Sequence, residues 1–305
     1  MRSLALLRTA TAFVSPAPYT PSGLAQIVPP RELNVQFQRR RSRVTGQGAG
    51  AVSMSSSASA EFEVDVASNI ASVRQRIDEA INDSSLEPGS VRLIAVSKTK
   101  PIPLLQAAYD CGQRYFGENY AQECMAKSKE LPDDVCWHFI GPLQSNKAAA
   151  LVKTVGLDKL KCIETVSTIK LANKLNNAVK TMNEELDAKK TLGIYIQVNT
   201  SGEESKSGVS PGEEVANLAK QISDDCSFLT INGLMTIGAP GDYSCFDTLA
   251  KCREEVATIL GKTTGELELS MGMSGDYDEA IARGASSVRV GSTIFGARDY
   301  SNLKK

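Results

Sequence analysis

Histidine is nearly absent from this chain, which contains only His138 among its 305 residues. Zinc sites are built from histidine or from closely spaced cysteines, so we expect no histidine-based metal site. The seven cysteines are odd in number and include no Cys-x-x-Cys pair. This usage favours a reduced, intracellular protein over a disulfide-bonded, secreted one.

The chain also lacks a charge imbalance and a long apolar run. Its formal net charge is −1, so electrostatics give no reason to expect a nucleic acid partner. No run approaches the roughly 20 apolar residues that cross a bilayer, so we expect no membrane partner either. The hydrophobic content of 42% suits a globular protein with one large domain or two small ones.

Residues 1–60 differ in composition from the rest of the chain. They contain seven arginines, no lysine and a single acid, Glu32, and they end in the small-residue tract GQGAGAVSMSSSASA. This composition is typical of an organelle transit peptide and predicts a mitochondrial or plastid location, with the cytoplasm as the alternative. A disordered extension, or translation from Met54, would also explain the segment. We assign residues 61–305 to the folded domain.

Eight short apolar runs alternate with amphipathic segments in this domain. The runs lie at residues 91–97, 114–118, 137–141, 161–166, 192–199, 229–237, 266–272 and 286–292. A helix is predicted before the first run, because Ile70, Val73, Ile77 and Ile81 recur on one helical face. Alternating strands and helices predict a parallel α/β sheet covered by helices.

Eight such units in one domain favour a closed (β/α)8 TIM barrel. The competing prediction is an open doubly wound sheet, which usually carries a glycine-rich phosphate loop after its first strand. Here the first strand is followed by Ser97-Lys98-Thr99-Lys100-Pro101 instead.

Two glycine-rich segments follow the last two predicted strands, GMSG at 272–275 and GSTIFG at 291–296. In a TIM barrel, the loops after strands seven and eight often bind phosphate. Glycine N–H groups, hydroxyl groups and a helix N-terminus all favour an anion. We therefore predict a phosphate site here, and ordinary turns and helix caps are the alternative interpretation.

Lys98 directly follows the first strand and would face these loops across the barrel mouth. A lysine amine in such a place can form an imine with an aldehyde, and an aldehyde combined with a phosphate suggests pyridoxal phosphate. A lysine that merely extends to solvent is the competing interpretation. Lys98 is better placed than Lys100, which precedes Pro101.

Arg289 alternates with Val288 and Val290 in the last strand, so it belongs to the opposite face, the barrel interior. A buried guanidinium needs a partner. A pyridine nitrogen would supply an acceptor and would stay unprotonated beside the arginine, which restrains carbanion chemistry. An ion pair with Glu118 or Glu164 is the alternative.

Seven motifs in order make the chain similar to a known family. They are AVSKTKP (95–101), FGENYAQE (116–123), WHFIGPLQSNK (137–147), ESKSG (204–208), GLMTI (233–237), LSMGMSGD (269–276) and VRVGSTIFGARDY (288–300). With these motifs the chain resembles the pyridoxal phosphate homeostasis protein family. Its members are small barrels of pyridoxal phosphate fold type III, related to the N-terminal domain of alanine racemase.

The resemblance implies that pyridoxal 5′-phosphate (PLP) is held as an aldimine on Lys98. It implies further cofactor-binding residues, which are Asn119, Met235, Ser274, Arg289, Gly291, Ser292 and, on a loop that handles transfer, Lys206. His138 and Gln144 are weaker candidates for the pocket lining, and His138 is equally explained as a packed core histidine. This chain has glycine at position 275, where bacterial members of the family often have an acidic residue.

The resemblance also implies a PLP carrier without a reaction of its own, which holds PLP and delivers it to apo-enzymes. Racemisation needs a second base, and no candidate is evident. Only 14 residues follow Gly291, so we expect no second domain and a monomer. The alternatives are a PLP-dependent amino acid racemase of narrow scope and a phosphate-sugar enzyme with a Schiff-base lysine.

Overall fold

A computed structural model describes residues 64–203 and 206–297. The segment predicted to be a transit peptide, residues 1–60, lies outside the described residues. Within the described part, no helix combines the length and the apolar character needed to span a bilayer.

Eight parallel strands close into a barrel in chain order, and the last strand pairs with the first. The strands are β1 (Arg92–Val96), β2 (Tyr115–Glu118), β3 (Cys136–Phe139), β4 (Leu160–Val166), β5 (Leu192–Gln197), β6 (Leu229–Met235), β7 (Glu268–Met273) and β8 (Ser287–Val290). Each predicted apolar run forms one of these strands. The prediction of a (β/α)8 TIM barrel is therefore confirmed.

Each strand is followed by a helix, and one further helix precedes β1. The helices are α1 (Val66–Asp83), α2 (Ile102–Asp110), α3 (Ala121–Glu130), α4 (Ala148–Val155), α5 (Ile169–Leu186), α6 (Glu213–Asp225), α7 (Ser244–Leu260), α8 (Tyr277–Ala282) and α9 (Ser292–Phe295). Asp65 caps the start of helix α1, because its side chain accepts a hydrogen bond from the Ser68 N–H group. It packs against α2, α8 and α9 with its predicted face buried. Burying an isoleucine or valine contributes about 1.5–3 kcal/mol.

The main hydrophobic core lies between the strands and the surrounding helices. Side chains alternate along a strand, so Val288 and Val290 join this core whereas Arg289 faces the barrel interior. The interior contains charged and polar side chains, because Arg289 shares it with Glu164 and His138, and all three are buried. Arg289 also lines the candidate site at the carboxyl ends of the strands.

Candidate functional site

A cavity of about 770 Å³ opens at the carboxyl ends of the strands. Seven of the eight residues predicted to bind a cofactor line it, namely Lys98, Asn119, Met235, Ser274, Arg289, Gly291 and Ser292. They come from strand ends and loops far apart in the chain, and the closed barrel brings them to one mouth. The eighth, Lys206, is not among the lining residues.

The cavity wall is cationic. Lys98, Lys100 and Arg289 line it, and the described lining residues include no carboxylate. Apolar side chains such as Met235 and Ile140 form other parts of the wall. The cavity therefore suits an anionic ligand with an apolar body.

The two lysines of the β1–α2 turn differ in their surroundings. Lys98 directly follows the buried Ser97 and is itself half-buried. The Lys100 amine donates to the Gly296 carbonyl at 3.1 Å and to the Ala297 carbonyl at 2.6 Å. Lys100 thus fastens the segment after α9 to the cavity wall, which is a structural role.

The two glycine-rich segments meet at the cavity, as the phosphate prediction requires. The Ser274 hydroxyl accepts a hydrogen bond from the Gly291 N–H group at 3.2 Å, which joins the loop after β7 to the loop after β8. A Cβ on Gly291 would lie only 3.2 Å from the Val96 carbonyl oxygen, so glycine allows this close approach. At Gly275 no atom lies within 4 Å of an added Cβ, so packing does not demand glycine there.

Arg289 lines the cavity. It also lies near Glu164, one of the two acids named in the alternative prediction of an ion pair. Its guanidinium donates to the Ser270 hydroxyl at 2.6 Å and to the Thr236 carbonyl at 2.7 Å, and it lies 3.9 Å from the Glu164 carboxylate. Burial lowers the pKa of Arg289 below its ordinary value, and the charge of Glu164 opposes this effect only in part. These contacts orient the guanidinium at the floor of the cavity.

Glu164 extends this polar chain through the barrel. One carboxylate oxygen accepts from the Ser270 hydroxyl at 2.6 Å, and the other lies 2.6 Å from His138 Nδ1. Burial raises the pKa of Glu164, but His138, Arg289 and Ser270 together outweigh this effect and bring the pKa below its ordinary value. The carboxylate therefore stays ionised behind Arg289.

His138 lines a different cavity from the one that holds the other candidates. It faces a smaller cavity of about 250 Å³ at the amino ends of the strands, together with Arg92, Tyr115 and Glu268. The interpretation of His138 as a buried interior histidine fits this placement. Gln144 is exposed on the loop after β3 and is not a lining residue of the cofactor-sized cavity.

Lys206 lies on the loop between β5 and α6. Its amine donates to the Gly238 carbonyl at 2.8 Å and to Glu203 at 2.6 Å. The bond to Gly238 connects the loop after β5 to the loop after β6, whereas the bond to Glu203 lies within the loop after β5.

Asn119 lines the cavity and has a side-chain oxygen without a hydrogen-bond donor in the described part of the chain. Its Oδ1 atom is buried without a hydrogen-bond partner among the described residues, and such a group costs about 1–3 kcal/mol. A ligand that donates a hydrogen bond would remove this cost.

Comparison with known proteins bears on this site. The chain matches the family described as alanine racemase, N-terminal domain, over residues 66–299. The pyridoxal phosphate homeostasis protein of Schizosaccharomyces pombe is 44% identical over 232 residues, which cover 74% of this chain and 90% of that protein. The protein of the same name from Homo sapiens is 39% identical over 252 residues, with 78% and 89% covered.

The chain belongs to the pyridoxal phosphate homeostasis protein family. A solved structure of PipY from Synechococcus elongatus, determined with PLP bound, is similar to it with a TM-score of 0.58 and 33% identity. The match covers 76% of this chain and 100% of PipY.

Some neighbours of the site in this family member were not predicted from the sequence. Ser270 and Thr236 hold Arg289, and Lys127 pairs with Glu118. A partial signal existed for Lys127, because Glu123 and Lys127 are spaced i, i+4 on one helix. Nothing in the local sequence indicated that this lysine is buried.

Proposed function

We propose that this protein binds pyridoxal 5′-phosphate in the cavity at the carboxyl ends of the strands and acts in the homeostasis of this cofactor. The observation that carries the proposal is the lining of that cavity. Three cations and two glycine- and serine-rich loops surround it, and its described lining residues include no carboxylate. Such a wall suits a phosphate ester that carries an apolar ring. The names of the relatives and the PLP-bound PipY structure support the same ligand.

The lining residues fit the chemical parts of this cofactor. Ser274, Gly291 and Ser292 would hold the phosphate with hydroxyl and N–H donors. Arg289 would donate to the pyridine nitrogen, since a guanidinium has only donors. The unpartnered Asn119 oxygen would accept from a ligand hydroxyl, and Met235 would pack against the ring.

Lys98 is the inferred anchor, because it lies two residues after the end of β1 and on the cavity wall. PLP supplies an electrophilic aldehyde when it is bound. The Lys98 amine would add to the aldehyde carbon, and one water molecule would leave as the carbon–nitrogen double bond forms.

We favour a carrier that holds PLP and delivers it to apo-enzymes over an amino acid racemase. Racemisation needs a second group that exchanges a proton on the opposite face of the substrate. Among the described lining residues the other ionisable groups are Lys100 and Arg289. Lys100 binds two carbonyl oxygens, and Arg289 is held as a buried cation. Neither is suited to proton exchange.

The anchor is tested by the absorbance spectrum of the purified protein with PLP, before and after borohydride. We expect a visible band in the wild type and in Lys100→Met, and its loss in Lys98→Met. Mass spectrometry after borohydride should find the reduced adduct on Lys98. A band that persists in Lys98→Met would assign the anchor to another lysine, and a wild type without a band would refute PLP binding at this lysine.

The carrier function is tested with single L-amino acids and the PLP-loaded protein. We expect no D-enantiomer by chiral chromatography. Turnover of about one per second, an ordinary enzymatic rate, would establish the racemase instead.

We also propose that residues 1–60 direct the protein to the mitochondrion or plastid and that the protein is a monomer. The arginine-rich, acid-poor composition supports the targeting role. A fluorescent protein fused to residues 1–60 should enter an organelle, and a purely cytoplasmic signal would contradict this.

Sedimentation of the purified protein tests the proposal that it is a monomer, and a mass of two or more chains would contradict it.

A further inference from the structure

The turn that carries Lys98 contains a strained residue. Thr99 has a φ of 62°, in the left-handed region that β-branched residues avoid. Its Oγ1 atom is buried and has no hydrogen-bond partner among the described residues. Such a conformation persists only where neighbouring groups hold it in place.

Two carboxylates hold the residues on either side of Lys98. The Ser97 hydroxyl donates to Glu118 at 2.7 Å, and the Thr99 N–H group donates to Glu123 at 2.8 Å. Both flanks of the lysine are therefore fixed by charge-assisted hydrogen bonds, which are stronger than neutral ones.

Lys127 joins the two carboxylates to the turn. Its amine donates to Glu118 at 2.7 Å, to Glu123 at 2.8 Å and to the Ser97 carbonyl at 2.8 Å. An ammonium group has three donors, and here each has an acceptor. The side chain of Lys127 is only 9% exposed and that of Glu118 is 0% exposed, so solvent screens these contacts little.

The placement of this cluster follows from the fold. Glu118 ends β2 and reaches Ser97 because β1 and β2 are paired. Glu123 and Lys127 lie four residues apart on α3 and share one face of the helix. Strand β2 and helix α3 together therefore clamp the end of β1.

We propose that Lys127, with Glu118 and Glu123, is a positioning group that holds the Lys98 amine in the geometry needed to react with the PLP aldehyde. This inference rests on the proposed function, in which Lys98 is the anchor. None of these three residues lines the cavity, so the cluster acts through the turn. If the clamp is loosened, the amine samples more positions, and the carbon–nitrogen bond forms more slowly.

A purely structural ion pair would have a different effect. It would lower the unfolding temperature but leave the reaction rate of the folded protein unchanged. The rate of formation of the visible band, measured well below the unfolding temperature, therefore separates the two roles.

The test compares stopped-flow rates of band formation with PLP in four proteins. They are the wild type, Glu123→Gln, the double variant Glu118→Gln with Lys127→Met, and Lys159→Met. The double variant removes both charges of the buried pair, because removal of one would leave the other uncompensated and could prevent folding. Glu123 has a side chain that is 28% exposed, so its replacement is tolerated more easily.

Lys159→Met is the matched control. The Lys159 amine also donates to a carbonyl, that of Ser128, at 2.8 Å and pairs with a carboxylate, that of Asp133, at 2.7 Å. It therefore resembles Lys127 in its bonding, but it does not contact the turn of Lys98.

We expect band formation to be about tenfold slower in both clamp variants, the scale on which supporting partners usually act, and unchanged in the control. Rates within about twofold of the wild type in both clamp variants would overturn the inference while PLP binding stands. An equal loss in Lys159→Met would overturn it as well. A wild type that forms no band would refute the proposed function itself, and the inference with it.

Discussion

The substitution Gly141→Ala tests how the strand ends position Asn119. A Cβ at this position would lie 2.1 Å from the Asn119 carbonyl oxygen and 2.5 Å from its Cα atom. Contacts between such atoms below 3.0 Å essentially never occur, so the Asn119 backbone would have to retreat by about 1 Å, and overpacking of this kind costs about 1–3 kcal/mol. The backbone cannot yield easily, because the Ile140 N–H group donates to the Glu118 carbonyl at 2.8 Å next to it.

A displacement of about 1 Å at a binding residue can cost up to about 100-fold in function. We therefore expect Gly141→Ala to lose 1–3 kcal/mol of unfolding free energy and to bind PLP at least about tenfold more weakly. Urea denaturation and equilibrium dialysis with PLP measure the two effects. Gly265→Ala is the control, because no atom lies within 4 Å of its added Cβ, and it should change stability by less than about 0.5 kcal/mol. Wild-type stability and wild-type PLP affinity in Gly141→Ala would refute the reasoning.

Two further predictions concern Arg289 and its ion pair. A lysine at position 289 cannot reproduce the two bonds of the guanidinium to Ser270 and Thr236. We therefore expect Arg289→Lys to lower PLP affinity about tenfold or more in equilibrium dialysis, and an unchanged affinity would contradict this. Glu164 has a folded-state pKa below its ordinary value of 4.5, so its stabilisation is complete above that pH and is lost as the pH falls through the folded pKa. Glu164→Gln should therefore lower the unfolding free energy by about 3 kcal/mol at neutral pH. In urea titrations the difference between wild type and variant should narrow below pH 4.5. A difference that is constant with pH would contradict the ionised state of Glu164 in the folded protein.

The strand pattern could be predicted because it depends on local periodicity. The run at 286–292 contains β8 (Ser287–Val290), and the alternation of Val288, Arg289 and Val290 already indicated that the arginine faces the interior. In a closed parallel barrel all carboxyl ends of strands meet at one mouth. The motifs at those ends were therefore expected to converge, and one cavity does contain Lys98, Ser274 and Gly291.

The environment of each side chain was harder to predict. His138 and Gln144 belong to one motif, yet His138 is buried beside Glu164 whereas Gln144 is exposed. Glu118 and Glu164 were equal candidates to pair with Arg289, and only Glu164 does so. Glu118 pairs with Lys127 instead. Burial of a lysine cannot be inferred from its neighbours on the helix, because it depends on what the other strands bring to it.

The sequence by itself determined the (β/α)8 barrel and the set of strand-end residues that meet at its mouth, because periodicity and motif order are local properties of the chain. Only the tertiary structure decided which partners orient those residues. Arg289 is held by Thr236, which is 53 positions away, and Lys100 by Ala297, which is 197 positions away. Hydrogen bonds and ion pairs of this kind depend on how close two distant residues lie and how deeply they are buried. Both are fixed only when the closed barrel forms.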